Sequence, residues 1–275
     1  METQVAAQYA SSTLVFRIEA GLTAMGLSEG PLDRQELAAI DEFHIGGRDA
    51  TKLLCANLPP VSGLEILDIG CGIGGPARFF AANFGCMVTG IDLTKDYVDA
   101  GNKLCARTGL ADKVTLIEAS ATNMPLSAES FDIAYMMHVG MNIEDKNALM
   151  SEAFRTLRPG GSLAIYDVMK IGTGQTVYPL PWADDAVTDA ACAPKLYREA
   201  LSNAGFILTS ECDRSQLALN VFKRMAAANN KRQKPSPLGL HILMGPSTPQ
   251  KVANIATQIE RNEFAPIEMI AKKPQ

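Results

Sequence analysis

Residues 64–80, Leu64-Glu65-Ile66-Leu67-Asp68-Ile69-Gly70-Cys71-Gly72-Ile73-Gly74-Gly75-Pro76-Ala77-Arg78-Phe79-Phe80, decide how the chain is read. Residues 64–69 are short and mostly apolar, which predicts a buried strand. A glycine-rich turn follows. Pro76 then restarts the chain as a helix, because its ring presets φ for a first helical turn. Gly70, Gly72 and Gly75 have the G-x-G-x-x-G spacing that lets backbone approach a nucleotide at a helix N-terminus. Glycines occur in turns for many reasons, so the spacing alone is weak. Asp68 sharpens it: a carboxylate at the strand's carboxyl end, two residues before the first glycine, repels a pyrophosphate. It attracts a ligand with a positive charge and an amino-acid head.

The chain has 275 residues, 47% hydrophobic and 20% charged, with a net charge of −5. That length buries a large core in one domain. An acidic balance argues against nonspecific binding to nucleic acid or anionic lipid. No run approaches the ~20 apolar residues of a membrane span. The start of the chain lacks the basic-then-apolar pattern of a signal peptide, which predicts a cytoplasmic protein. The six cysteines (55, 71, 86, 105, 192 and 212) contain no C-x-x-C pair and read as buried reduced thiols, with no metal site expected.

Ahead of the first strand, Leu14, Ile18, Leu22 and Met25 share a helical stripe within residues 12–25. Residues 1–60 are expected to form helical cover. It is either a lid across a ligand mouth, carrying Tyr9, Phe16 and His44, or helices packed on the core. After the glycine turn, residues 86–92 form a second strand ending in Asp92, 22 residues beyond Gly70. A carboxylate at that distance accepts hydrogen bonds from vicinal ribose hydroxyls; the alternative is a cap for the helix starting near Thr94. Residues 113–118 and 131–137 are the third and fourth strands, the latter leading into His138-Val139-Gly140-Met141-Asn142, with Asn142 expected to cap the next helix. Leu157-Arg158-Pro159-Gly160-Gly161 turns the chain tightly into strand five. In the loop after it, which also holds Tyr178, the one tryptophan, Trp182, walls a substrate pocket or anchors the loop to the core; both readings stay open. Residues 206–212 and 264–271 are the last two strands. Between them, residues 213–262 hold a helix near 213–229, a basic loop Lys231-Arg232-Gln233-Lys234, and a helix near 249–262 with Thr248 as its cap. They read as a cap over an acceptor pocket. The expected layout is one domain: cover (1–60), core (61–212), cap (213–262), and last strand with tail (263–275).

The glycine turn with Asp68, the strand ending in Asp92, and the distant Arg158-Pro159-Gly160-Gly161 together resemble the class I S-adenosylmethionine-dependent methyltransferases. The tail Gly74-Gly75-Pro76-Ala77-Arg78 is similar to the subgroup with the sarcosine/dimethylglycine, sterol and ubiquinone-biosynthesis enzymes. The likeness runs over about residues 41–170. It implies a doubly wound, seven-stranded Rossmann-like α/β sheet with the last strand antiparallel, and S-adenosyl-L-methionine as cofactor. It places Asp68, Gly70, Cys71 and Gly72 on the methionyl part, Asp92 and Leu93 by the ribose, and Ser120 and Ala121 by the adenine. The family usually has Asp where this chain has Ser120, a departure that bears on the adenine contact. His138 is expected to face the transferring methyl and to serve as base where the acceptor loses a proton. His44, Tyr178 and Trp182 are the expected acceptor contacts. A small-molecule acceptor methylated at N or O is the first expectation. C-methylation of an isoprenoid or quinone-like ring and S-methylation are the alternatives, and a homodimer is possible. Outside the class stand a nicotinamide-dependent oxidoreductase and a silent cofactor-binding subunit.

Overall fold

A computed structural model describes residues 2–9, 13–59, 61–231 and 236–275, with residues 228–231 described for backbone only. The strands are β1 (Glu65–Ile69), β2 (Met87–Asp92), β3 (Val114–Glu118), β4 (Phe131–Met137), β5 (Leu157–Lys170), β6 (Ile207–Asp213) and β7 (Phe264–Lys272). They form one sheet in the order β3-β2-β1-β4-β5-β7-β6. β1 to β5 run parallel, while β7 lies antiparallel between β5 and β6. This is the doubly wound sheet that the sequence implies.

The helices are α1 (Glu2–Tyr9), α2 (Leu14–Ala24), α3 (Ala38–Asp41), α4 (Gly47–Ala56), α5 (Gly75–Phe84), α6 (Lys95–Arg107), α7 (Lys146–Thr156), α8 (Pro194–Ala204), α9 (Ser215–Lys231), α10 (His241–Met244) and α11 (Thr248–Glu260). In β1, side chains alternate across a sheet covered on both faces. Ile66 enters one core with Phe80, Val98 and Leu54, and Leu67 and Ile69 enter the other with Leu149, Ala153 and Leu201. Double burial explains why the strand reads as an apolar run. A third cluster joins Leu14, Ile18 and Leu22 of α2 to Tyr97, Ala100 and Leu104 of α6. The N-terminal cover therefore docks on α6.

From β1 the chain winds outward through β2 to β3, then returns to β4 on the other flank of β1. The strand order reverses at β1, so a crevice opens past the carboxyl ends of β1 and β4.

Several local expectations are corrected. Asn142 closes a 3-10 turn (Gly140–Asn142), and α7 is capped by Asp145, whose carboxylate accepts from the Ala148 N–H. Ser247, not Thr248, precedes α11; the Thr248 hydroxyl instead donates back to the Gly245 carbonyl at 2.6 Å. Phe16 is 74% exposed, on the outer side of α2, because the stripe of Leu14, Ile18 and Leu22 is the face that packs. Of the basic loop, Lys231 ends α9, while Arg232, Gln233 and Lys234 lie outside the described residues. Among the described residues no helix is long and apolar enough to cross a membrane.

Candidate active site

The crevice is a cleft of about 1040 Å³, its open mouth included. Strand ends build its floor: Asp68, Gly70, Cys71 and Gly72 at the end of β1; Asp92, Leu93 and Thr94 at the end of β2; Ala119, Ser120 and Ala121 after β3; Met137, His138 and Val139 at the end of β4. All nine residues expected to bind the cofactor line this one cleft, and so does His44. Tyr178 and Trp182 do not line it. The Tyr178 hydroxyl and Trp182 Nε1 both donate to Asp189, at 2.7 and 2.9 Å, and the indole packs on Phe264. These contacts anchor the loop, which for Trp182 is the second of the two readings the sequence left open.

The glycine turn is tied to β2. The N–H groups of Gly70 and Cys71 both donate to the Ile91 carbonyl at 2.8 Å, and that of Gly72 donates to Asp92 Oδ2 at 2.8 Å. Gly70 has φ +71°, and a Cβ there would meet Val139 at 2.5 Å. Both facts exclude larger residues. At Gly72 a Cβ would stand in the cleft, its nearest neighbour being Tyr97 at 3.9 Å. Backbone is thus laid bare toward any ligand.

Asp68 is 2% exposed and lines the cleft. Burial pushes its carboxyl up to about 7. Burial also raises Asp92, opposed by the N–H donors of Thr94 and Gly72; Asp92 Oδ1 accepts from Thr94 at 2.9 Å. These two bonds leave lone pairs on both Asp92 oxygens for further donors. The cleft is lined by four carboxylates (Glu2, Asp41, Asp68 and Asp92) and, among the described residues, by no lysine or arginine.

His138 sits at φ +59°, in the left-handed region that costs an ordinary residue roughly 1 kcal/mol. Its N–H donates to the Tyr166 carbonyl at 2.7 Å, which holds it there. Burial, with His44 nearby, keeps its imidazole well below the ordinary range, so the ring is neutral. Nδ1 accepts a long bond (3.5 Å) from the Ile45 N–H, which puts the ring proton on Nε2. His44 is held by the Gly47 carbonyl at 3.0 Å and the Thr51 hydroxyl at 3.1 Å. Its burial likewise lowers its pKa.

Four buried polar atoms of the cleft have no hydrogen-bond partner among the described residues: Asp68 Oδ2, Tyr97 Oη, His138 Nε2 and Asn142 Oδ1. Buried polar groups are almost always paired in proteins, so a cluster of unpaired ones at a cleft marks groups kept for a ligand. An acceptor beside the bare glycine turn, with donors and acceptors further along, fits a zwitterionic nucleoside such as S-adenosylmethionine.

The sequence reading missed Glu2, Asp41 and Tyr97. For Asp41 a signal existed: Arg78 falls in the apolar run Pro76-Ala77-Arg78-Phe79-Phe80, and a buried guanidinium demands a carboxylate. That partner is Asp41, with Arg78 Nη2 at 2.5 Å from Oδ1. Nothing local pointed to Glu2, which reaches the cleft from a helix far away in sequence.

Residues 67–165 match the family described as a methyltransferase domain. The chain is 32% identical over 136 residues to the methyltransferase GfsG of Streptomyces halstedii, covering 50% of this chain and 49% of that one. It is 36% identical over 107 residues to the sterol 4-C-methyltransferase strm-1 of Caenorhabditis elegans, covering 39% and 32% respectively. The chain thus spans about half the length, or less, of these curated relatives. The fold is shared with a putative sarcosine dimethylglycine methyltransferase from Galdieria sulphuraria (TM-score 0.68, 19% identity, 82% of this chain and 85% of that one). Residues 67–165 thus match a methyltransferase domain, carried on a sheet that the chain shares with such enzymes.

Proposed function

We propose that the protein transfers the methyl group of S-adenosylmethionine to a small-molecule acceptor, at nitrogen or oxygen. The observation that carries this reading is the set of four unpaired buried atoms around a cleft whose charged lining is acidic. When bound, the cofactor supplies a methyl group on a cationic sulfur, already an activated leaving group. Asp68 would hold the ammonium end, and Asp92 the ribose hydroxyls through its remaining lone pairs. Gly70 and Gly72 admit the ligand close to backbone, with Cys71 and Leu93 as neighbouring walls. His138, neutral and with its proton on Nε2, would orient the acceptor by a hydrogen bond; its low basicity suits a nucleophile that arrives deprotonated. Positioning and exclusion of water are then the protein's main contributions to rate.

A second reading, C-methylation of an isoprenoid or ring, is favoured by the likeness to the sterol methyltransferase and by the apolar lining of Val5, Phe43, Met137, Val139 and Ile143. Calorimetry with S-adenosylhomocysteine and with NADH tests the cofactor: the first should bind and the second should not, and binding of NADH alone would overturn the proposal. Incubation of metabolite pools with methyl-labelled cofactor, followed by mass spectrometry, tests the acceptor. A labelled methyl on carbon would replace the N/O reading with the second one.

A further inference from the structure

The β3 end of the cleft poses a recognition problem. In the proposed reading, on which this inference rests, the base of the cofactor lies beside Ser120 and Ala121. Its exocyclic amino group is a donor and requires an acceptor. Ser120 stands where the resembling family has an aspartate, and its hydroxyl is already engaged.

Glu2, on the first turn of α1, lines the cleft at this point. Its Oε1 accepts from the Ser120 hydroxyl at 2.6 Å and from the Thr122 hydroxyl at 3.0 Å. Those hydroxyls lie 2.8 Å apart, and Ser120 Oγ also accepts the Thr122 N–H at 3.1 Å. Two donors on one oxygen fix the carboxylate. Oε2 has no hydrogen-bond partner among the described residues. Glu2 thus sets a carboxylate beside Ser120, delivered by a helix more than a hundred residues away.

We propose that Glu2 is the specificity residue for the cofactor's base: Oε2 accepts the exocyclic amino group while Ser120 and Thr122 hold Oε1. A charged acceptor discriminates sharply. An inosine base presents a carbonyl in place of the amino group, and carbonyl facing carboxylate is repulsive.

The test is calorimetry with S-adenosylhomocysteine and S-inosylhomocysteine on wild type, Glu2→Ala and Glu2→Gln. Wild type should prefer the adenine ligand by about tenfold or more, the range of a hydrogen bond to a charged group. Glu2→Ala should bind the two ligands alike, chiefly by losing affinity for the adenine one. Glu2→Gln should shrink or reverse the preference, since its amide can donate to the carbonyl. If Glu2 merely anchors α1, both ligands weaken together and the preference survives, which would overturn the proposal. Tight binding of both ligands to wild type without preference would also overturn it, while leaving the cofactor reading intact. Binding of neither would sink both.

Discussion

At the scale of single residues, Asp68 sets the conditions for binding. Burial pushes its carboxyl up to about 7, opposed by the nearby Tyr135 hydroxyl, which lowers it. A ligand ammonium restores the charged form and lowers that value, so binding should release a proton. Affinity for S-adenosylhomocysteine is therefore expected to rise with pH up to about 7, by up to roughly tenfold per unit below it, and then level off. Calorimetry across pH 5.5 to 8.5 checks this; Asp68→Asn should bind more weakly and lose the slope. Stability runs the other way. The folded pKa lies above the ordinary 3.8, so the contribution is fully present below 3.8 and is lost as pH rises through 7. Asp68→Asn should thus raise the melting temperature at pH 8 and change it little at pH 4. The type and place of this residue were legible in the sequence, because a strand-end carboxylate before glycines is a local pattern. Its shifted titration was not, since that comes from burial, which depends on tertiary packing.

At the scale of elements, the join between α3 and the glycine turn decides whether the cleft has a wall. The Arg78 guanidinium is wholly buried and is held by Asp41 and by the Ile73 carbonyl at 2.7 Å. A Cβ at Gly75 would fall 1.8 Å from the Asp41 carbonyl oxygen. Asp41→Asn should destabilise the fold by about 3–5 kcal/mol, the cost of stranding a buried charge. Gly75→Ala should also destabilise it, by forcing α3 away from the turn. Denaturant unfolding measures both, and a change below about 1 kcal/mol in Asp41→Asn would show that the pair is dispensable. Strand ends were readable because their periodicity and flanking turns are local. The caps at Asn142 and Thr248 were misplaced because several polar residues compete at each helix start, and only packing chooses among them.

At the scale of the whole molecule, α1 is lightly attached. Val5 is its one buried residue. Its other ties are Glu2 to Ser120, Gln8 to the Trp182 carbonyl and the Thr188 hydroxyl, and Tyr9, which meets Asn142 and packs edge-on against Phe43 and Tyr97. An eight-residue helix so held opens easily. We expect hydrogen exchange in residues 2–9 to be fast in the free protein and to slow on adding S-adenosylhomocysteine, with β1 and β4 unchanged. No slowing would reject the lid reading of the N-terminal cover.

The chain by itself determined the strands, the glycine turn and the strand-end carboxylates, because alternation, turn glycines and strand length act over a few residues; the order of the strands came only with the family resemblance. Only tertiary structure decided what closes the cleft. It brought Glu2 to Ser120, Asp41 to Arg78 and Ile45 to His138, and it took Trp182 away to Asp189. Such pairings link residues far apart in sequence, and they form where burial leaves a polar atom that some distant partner must satisfy.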